Sequence, residues 1–418
     1  MKRIISVLIT IVMIFTLAFQ GTFASAISAD KAYEATGKTI YESTSKSPVY
    51  GTEWHILGLA RSDYADCKEI FAAYYNDIVK TLKAGKGSLS ESKYTEYSRT
   101  ITAVTAIGYD ARSTGGYNMV SKLLDRTKVL RQGLNGPIWA LIALNTGSYA
   151  AESKYKEIAA EYINDILDAE KQSGGWSLNK SETAADADIT GMALTALAPY
   201  YNSDNRVKSA ADRALLWLSQ VQNEDGTYSS WGSKNSESCS QVITALTALG
   251  INPDEDVRFI KNGKSVLDGL LSFYIDGGFK HIASEKKLNA MATEQGYYAL
   301  CAYFRFISGR TSLYDMSDVT LTVVNPPAKT KITSVKSTAK RTAKLTWSRV
   351  GTATGYQIKY SSRKSMTGAK TVTTTAVSKK ITKLKSGTKY YFKVRAYRSF
   401  NGSRIYGSWS TAKSIRIK

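Results

Sequence analysis

Cysteine and histidine are scarce in this chain of 418 residues, which holds three of the first and two of the second. Cys67, Cys239 and Cys301 are odd in number and scattered through segments of helical pattern, so they cannot build a disulfide framework. The fold therefore has to rest on packing, and an apolar fraction of 43% is ample for a large core. Long apolar runs are missing too. Past residue 19 no stretch approaches the roughly 20 residues needed to cross a bilayer, so no integral membrane segment is expected there. The C-terminus shows neither a sorting signal nor a hydrophobic tail, so attachment to a cell wall is expected to be non-covalent. The sharpest absence is of acid. Lys329 to Lys418 hold 16 Lys and 7 Arg with no Asp or Glu, leaving 33 basic against 35 acidic residues in the rest of the chain. The formal charge of +21 thus belongs to the last segment alone.

What is present begins with Met1-Lys2-Arg3, a short basic stretch, followed by Ile4 to Phe19, almost wholly apolar. Ala24-Ser25-Ala26 then supplies the small-x-small pattern of a cleavage site. Residues 1–26 read as a secretion signal, and the mature protein is expected to be secreted, extracellular or wall-associated. Asn325-Pro326-Pro327 marks a break in the chain, so residues 317–328 are expected to be a linker.

Beyond the linker the pattern alternates. "KLTWSRV", "GYQIKYS", "KYYFKVRAY" and "SIRIK" place apolar residues at every second position between Gly, Ser and Thr turns, the signature of an all-β sandwich. Leu384-x-x-Gly387-Thr388-x-Tyr390-x-Phe392-x-Val394-Arg395-Ala396 resembles the corner and following strand of a fibronectin type III domain. The resemblance covers residues 329–418. It implies that Tyr390 is the corner tyrosine and Trp347 the core tryptophan, in a module that spaces or binds.

Residues 30–316 are helical and repeat. Gly-rich turns around Gly175, Gly226 and Gly278 recur at nearly constant spacing, each followed by a small-residue run: "ALTAL" from Ala193, "ALTAL" from Ala245 and "ALCAY" from Ala299. "ALIAL" from Ala140, "AVTAI" from Ala103 and "HILGLA" from His55 extend the series to six. Longer amphipathic segments such as "SAADRALLWLSQVQ" lie between them. Arg213-Ala214-x-x-Trp217-Leu218-x-x-x-Gln222-x-x-x-Gly226-x-Tyr228 resembles the glutamine–tryptophan repeat of squalene and oxidosqualene cyclases, and Gln172 to Trp176 is a truncated copy. The resemblance implies a six-repeat α/α toroid of the terpenoid cyclase and protein prenyltransferase type, so the expected fold is multidomain: an all-α toroid plus an all-β sandwich.

In such a toroid the inner helices start at one mouth, where polar groups converge. Aligning the small-residue runs sets Asp188, Ser240 and Glu294 at one equivalent position, with Asn135 and Ser98, and Gln241, Gln295 and Arg99 at the next. The expected ligand-binding residues are Trp54, His55, Arg99, Asn135, Trp139, Asp186, Asp188, Gln241, Glu294 and Gln295. Each also reads as a cap or near-cap residue of its helix.

Four chemistries can be tested against these residues. Terpenoid cyclisation uses an acid motif of which Asp186, Asp188 and Thr190 survive, with Ile189 in place of the third acid. Prenyl transfer needs a zinc site, for which only Glu237-x-Cys239 and His281 offer themselves, and no metal site is expected. Thioester chemistry needs a cysteine where Ala292 stands, three residues before Gln295. Glycan cleavage by a lyase or hydrolase could draw on Asp188, Asp186 and Glu294 as acid and base. The reading preferred over all four is a non-catalytic surface-associated binding protein. Its ligand would be a glycan, a peptide or, by resemblance to cobalamin carriers, a corrinoid, with no resident cofactor. The basic segment 329–418 is expected to hold anionic wall polymers. Nucleic acid is not the expected partner, since no recognition helix or base-stacking motif is present.

Overall fold

The computed structural model describes residues 27–400 and 403–418; the expected secretion signal, 1–26, lies outside them. An N-terminal helical region precedes a C-terminal β-domain. The principal helices are α1 (Ala29–Lys46), α2 (Glu53–Arg61), α3 (Lys68–Ala84), α4 (Thr95–Ala106), α5 (Asn135–Thr146), α6 (Ser153–Leu167), α7 (Ala187–Leu197), α8 (Asn205–Val221), α9 (Ser236–Ala248), α10 (Val266–Leu271) and α11 (Ala290–Ile307). Among the described residues no helix is long and apolar enough to cross a membrane.

Two kinds of helix follow from two kinds of sequence. Helix α8 buries Val207, Ala210, Ala211, Ala214, Leu215 and Leu218, a single stripe at helical spacing. Helix α9 is buried from Ser236 through Thr247 on every side. It packs against α7 on one flank and α11 on the other. Small residues permit this approach: a Cβ on Gly191 of α7 would stand 2.8 Å from the Gln241 backbone of α9. The hydroxyls that such helices bury are satisfied within the helix. Ser240 Oγ donates to Ser236 O at 2.8 Å, Thr244 Oγ1 to Ser240 O at 2.8 Å and Thr195 Oγ1 to Gly191 O at 2.9 Å.

A repeated clamp joins the Gly-rich turns to the helices that follow. Thr190 Oγ1 accepts the Trp176 N–H at 2.9 Å, while Asp186 N–H donates to Trp176 O at 2.7 Å. In the same way Thr293 Oγ1 accepts the Phe279 N–H at 3.0 Å, and Asn289 N–H donates to Phe279 O at 2.8 Å. Between them Gln222 Nε2 donates to Gly226 O at 3.1 Å and to Phe259 O at 2.9 Å, tying its turn to the next segment. Tyr228 Oη donates back to Leu218 O of α8 at 3.0 Å.

Hairpin β1 (Tyr228–Ser230) and β2 (Ser233–Asn235) leads into α9. The β-domain comprises β3 (Ile332–Ala339), β4 (Thr342–Trp347), β5 (Gly355–Ser361), β6 (Lys370–Thr374), β7 (Ser378–Ile381), β8 (Lys389–Phe400), β9 (Ser403–Tyr406) and β10 (Lys413–Arg416). One sheet runs β7–β4–β3; the other runs β6–β5–β8–β9, with β10 also on β8. Alternation puts Leu345, Trp347, Tyr356, Ile358, Phe392 and Val394 in the core between them. Tyr390 Oη accepts the Lys385 N–H at 3.3 Å, a side chain reaching back across the turn before its own strand.

Compactness divides the chain differently from composition. Of the described residues, one unit comprises 27–42, 61–64 and 167–313, and the other 43–60, 65–166, 314–400 and 403–418. In the second unit the segment expected as a linker is bonded down. Thr322 N–H donates to Gly108 O at 2.8 Å and its carbonyl accepts from Asp110 N at 3.1 Å. Ser113 Oγ donates to Asn325 Oδ1 at 2.8 Å. Phe400 of the β-domain meets the rings of Tyr75 and Tyr109 edge-on.

Candidate functional site

The first unit gathers polar groups where three helices begin. Asp186 caps α7, its Oδ1 accepting from Asp188 N at 3.0 Å and Ile189 N at 3.2 Å, and its other oxygen accepts the Ser230 hydroxyl of β1. Asn235 caps α9 through Ser238 N at 2.8 Å, and Asn289 caps α11 through Ala292 N at 3.2 Å. Two residues after these caps stand Asp188, Glu237 and Met291. All three line one cavity of about 240 Å³, together with Trp231, His281 and Gln295.

This corrects the equivalence drawn from the small-residue runs. Counted from the caps, Asp188 corresponds to Glu237 and Met291, not to Ser240 and Glu294. Helix α7 starts three residues closer to its small-residue run than α9 and α11 do to theirs. Three residues are nearly a full helical turn, so the slip keeps the same face and leaves the apolar pattern unchanged. Gln295 lines the cavity, while Glu294 is half-buried beside it and does not.

The electrostatics centre on Asp188. Among the described residues its Oδ1 is shut away from solvent and accepts no hydrogen bond in good geometry. Burial pushes its carboxyl up to about 7; contact with the Ser238 hydroxyl opposes this, the Asp186 and Glu237 carboxylates add to it, and His281 opposes it. Glu237 is buried and held by the His281 ring, Nδ1 to Oε2 at 2.8 Å, and by the Ser236 hydroxyl at 3.1 Å. A carboxyl raised towards neutrality, a second acidic side chain and an imidazole thus share one small cavity. Trp231, 79% exposed, overhangs it from the tip of the β1–β2 hairpin. Its φ of +52 and that of Gly232 at +80 form a turn that usually carries Asn-Gly, so a bulky indole there is held in an unfavourable backbone state.

The remaining expected residues have other settings. Gln241 Nε2 donates to Gln295 Oε1 at 2.9 Å and Tyr298 Oη at 2.6 Å, a buried knot between α9 and α11. The other group belongs to the second unit. There Trp54 and Trp139 pack at 4.9 Å between ring centroids, and Trp139 meets Tyr314 edge-on at 5.9 Å. Arg99 pairs with the buried Glu53 at 3.0 Å and with Glu96. Burial raises the Glu53 carboxyl above its ordinary range, with Arg99 opposing. Asn135 opens α5, one turn before Trp139, with its Oδ1 buried and accepting no hydrogen bond among the described residues. His55 is half-buried with Nδ1 3.1 Å from Thr44 Oγ1, and burial lowers its pKa.

Sequence reasoning passed over Trp231, Met291 and the Glu237–His281 pairing as parts of one site. With Cys239 the pair makes up the residues that the sequence offers for a zinc site. Cys239 is fully buried, and burial drives its thiol up to about 12, so it stands apart from that pair as a core residue. Among the described residues no three His, Cys, Asp or Glu side chains are grouped so as to hold a metal ion.

Comparison with known proteins places the β-domain. Residues 325–408 match the family model of the fibronectin type III domain. The chain carries a fibronectin type III domain at its C-terminal end. Among solved structures, the chicken CNTN1 FN1–FN3 domains are similar at 27% identity over 21% of this chain and 32% of theirs, with a TM-score of 0.19. A fibronectin type III domain derived from human KIAA0970 protein is similar at 22% identity over 21% of this chain and 72% of its own, with a TM-score of 0.18. The chain therefore spans about a third of the first structure. No curated protein matches the chain. Fibronectin type III domains are common in extracellular proteins and serve as binding modules.

Proposed function

We propose that the chain is a secreted, surface-associated binding protein held to anionic wall polymers by its fibronectin type III domain. One observation carries this: the domain has 23 basic residues and no acid, while the rest of the chain is close to neutral. Without internal counter-charges the domain projects a positive field that extends about a Debye length into solution, and polyanions outside a cell are its natural partners. The helical region is read as a six-repeat α/α toroid with its ligand-binding groups at the inner-helix N-termini. The repeated clamps at Trp176 and Phe279 and the all-round burial of α9 support that reading.

The test is a salt wash of cells or purified walls carrying the full-length protein. Release between about 0.15 M and about 1 M NaCl is expected for electrostatic retention. Retention unchanged at the higher salt would sink the proposal.

A second reading draws on Asp188. A carboxyl that keeps its proton near neutrality beside the Glu237 carboxylate is what a glycan hydrolase or lyase needs for acid and base roles. New reducing ends or unsaturated products from a wall polysaccharide, lost in Asp188→Asn, would favour it over binding alone.

A further inference from the structure

The solvent face of the three-stranded sheet carries an arrangement that folding alone disfavours. Strand register sets Lys344, in the central strand β4, directly opposite Lys336 of β3 and Lys380 of β7. Residues directly opposite share a face, and neighbouring strands lie about 4.8 Å apart, so three ammonium groups stand in one row across the sheet. All three are exposed. Like charges placed directly opposite destabilise a sheet, and residues 329–418 contain no acid to offset them. Two residues along β4 on the same face lies a second row, Ser334, Thr346 and Ser378, which adds three hydroxyl donors. Neither row contains an aromatic ring.

We propose that the Lys336–Lys344–Lys380 row binds a linear phosphodiester polymer laid across the strands, with the adjoining hydroxyl row hydrogen-bonding its phosphate and hydroxyl oxygens. This rests on the reading of the domain as a polyanion-retention module and names the surface and the polymer class. The row is all lysine. Ammonium groups are compact point charges with rotatable donors, suited to phosphate oxygens approaching from any side. Bound phosphates neutralise the row, so the ligand relieves the repulsion that the free sheet carries. Nucleic acid shares the backbone chemistry, but this face offers its bases nothing to stack upon.

The experiment uses the full-length chain and immobilised poly(glycerol phosphate), with oligothymidylate as a second probe. The triple variant Lys336→Gln, Lys344→Gln, Lys380→Gln is compared with Lys364→Gln, Lys370→Gln, Lys385→Gln, which removes the same charge from exposed positions elsewhere in the domain. The row variant is expected to weaken polymer binding at least about tenfold and the other variant no more than about threefold. The row variant should also unfold at a higher temperature than the wild type without polymer, because it loses cross-strand repulsion. Equal weakening by the two triples overturns the row as the site and leaves polyanion retention standing. No binding by the wild type overturns both. Oligothymidylate binding as tight as that of poly(glycerol phosphate), with the same dependence on the row, overturns the assignment to a polymer without bases.

Discussion

The helical region and the fibronectin type III domain handle polar side chains in opposite ways. The helical region carries them inward: Ser240, Thr244, Gln241, Glu237 and Asp186 are buried or half-buried, each satisfied by a named neighbour. The β-domain keeps its interior apolar around Trp347 and Phe392 and sends its charge outward, all of one sign. Buried polar groups act over a few ångströms and depend on geometry, whereas exposed like charges act through a field that salt screens. The two regions should therefore respond to different perturbations, and the expected sizes run from the buried to the exposed.

The largest effect belongs to the core. Trp347→Ala removes a buried indole packed on Tyr356 and is expected to cost about 3–5 kcal/mol, read as loss of the β-domain transition in thermal or denaturant unfolding. Next comes Asp188. Its carboxyl titrates at about 7 when folded, against about 3.9 in an unfolded chain. Between those values the folded state holds a proton that the unfolded state has released, so stability falls as pH rises from about 4 to about 7 and is level above. Asp188→Asn, which carries no charge, should therefore stabilise by about 4 kcal/mol at pH near 8, about 3 pH units at about 1.4 kcal/mol each, and have little effect at pH near 3.5. A pH-independent effect, measured by unfolding at both values, would overturn the raised pKa of Asp188.

Asp186→Ala removes a cap that serves two backbone N–H groups and the Ser230 hydroxyl, and a loss of about 1–2 kcal/mol is expected in urea unfolding. Tyr390→Phe deletes the acceptor for the Lys385 N–H and should cost about 1 kcal/mol, read by urea unfolding of the full-length chain. The smallest effect has the opposite sign. Lys344→Thr should stabilise the β-domain by about 0.5 kcal/mol at low ionic strength, with the gain shrinking as salt is added.

Legibility follows the same division. The β-domain was readable because its signals are local: alternation over single strands, and a corner in which Tyr390 reaches only five residues back to Lys385. The capping role of Asp186 was readable for the same reason, since a cap bonds the next two or three residues. The cavity was read only in part. Asp188 and Gln295 were expected in it, but Glu237, His281, Trp231 and Met291 come together through helix starts some fifty residues apart and through a hairpin tip. Matching small-residue runs could not register them, because a slip of nearly one turn in α7 preserves the buried face.

Composition and short-range periodicity, which are properties of the chain alone, suffice for the β-sandwich, the acid-free charge of residues 329–418, the repetition of small-residue helices and the lack of a disulfide framework. Packing of distant segments sets which carboxylates meet at Asp188, bonds residues 322–325 down along Gly108, Asp110 and Ser113, and brings Lys336, Lys344 and Lys380 into one row. Those facts depend on register, on where each helix begins and on which groups lose water. Such choices are made when distant segments pack.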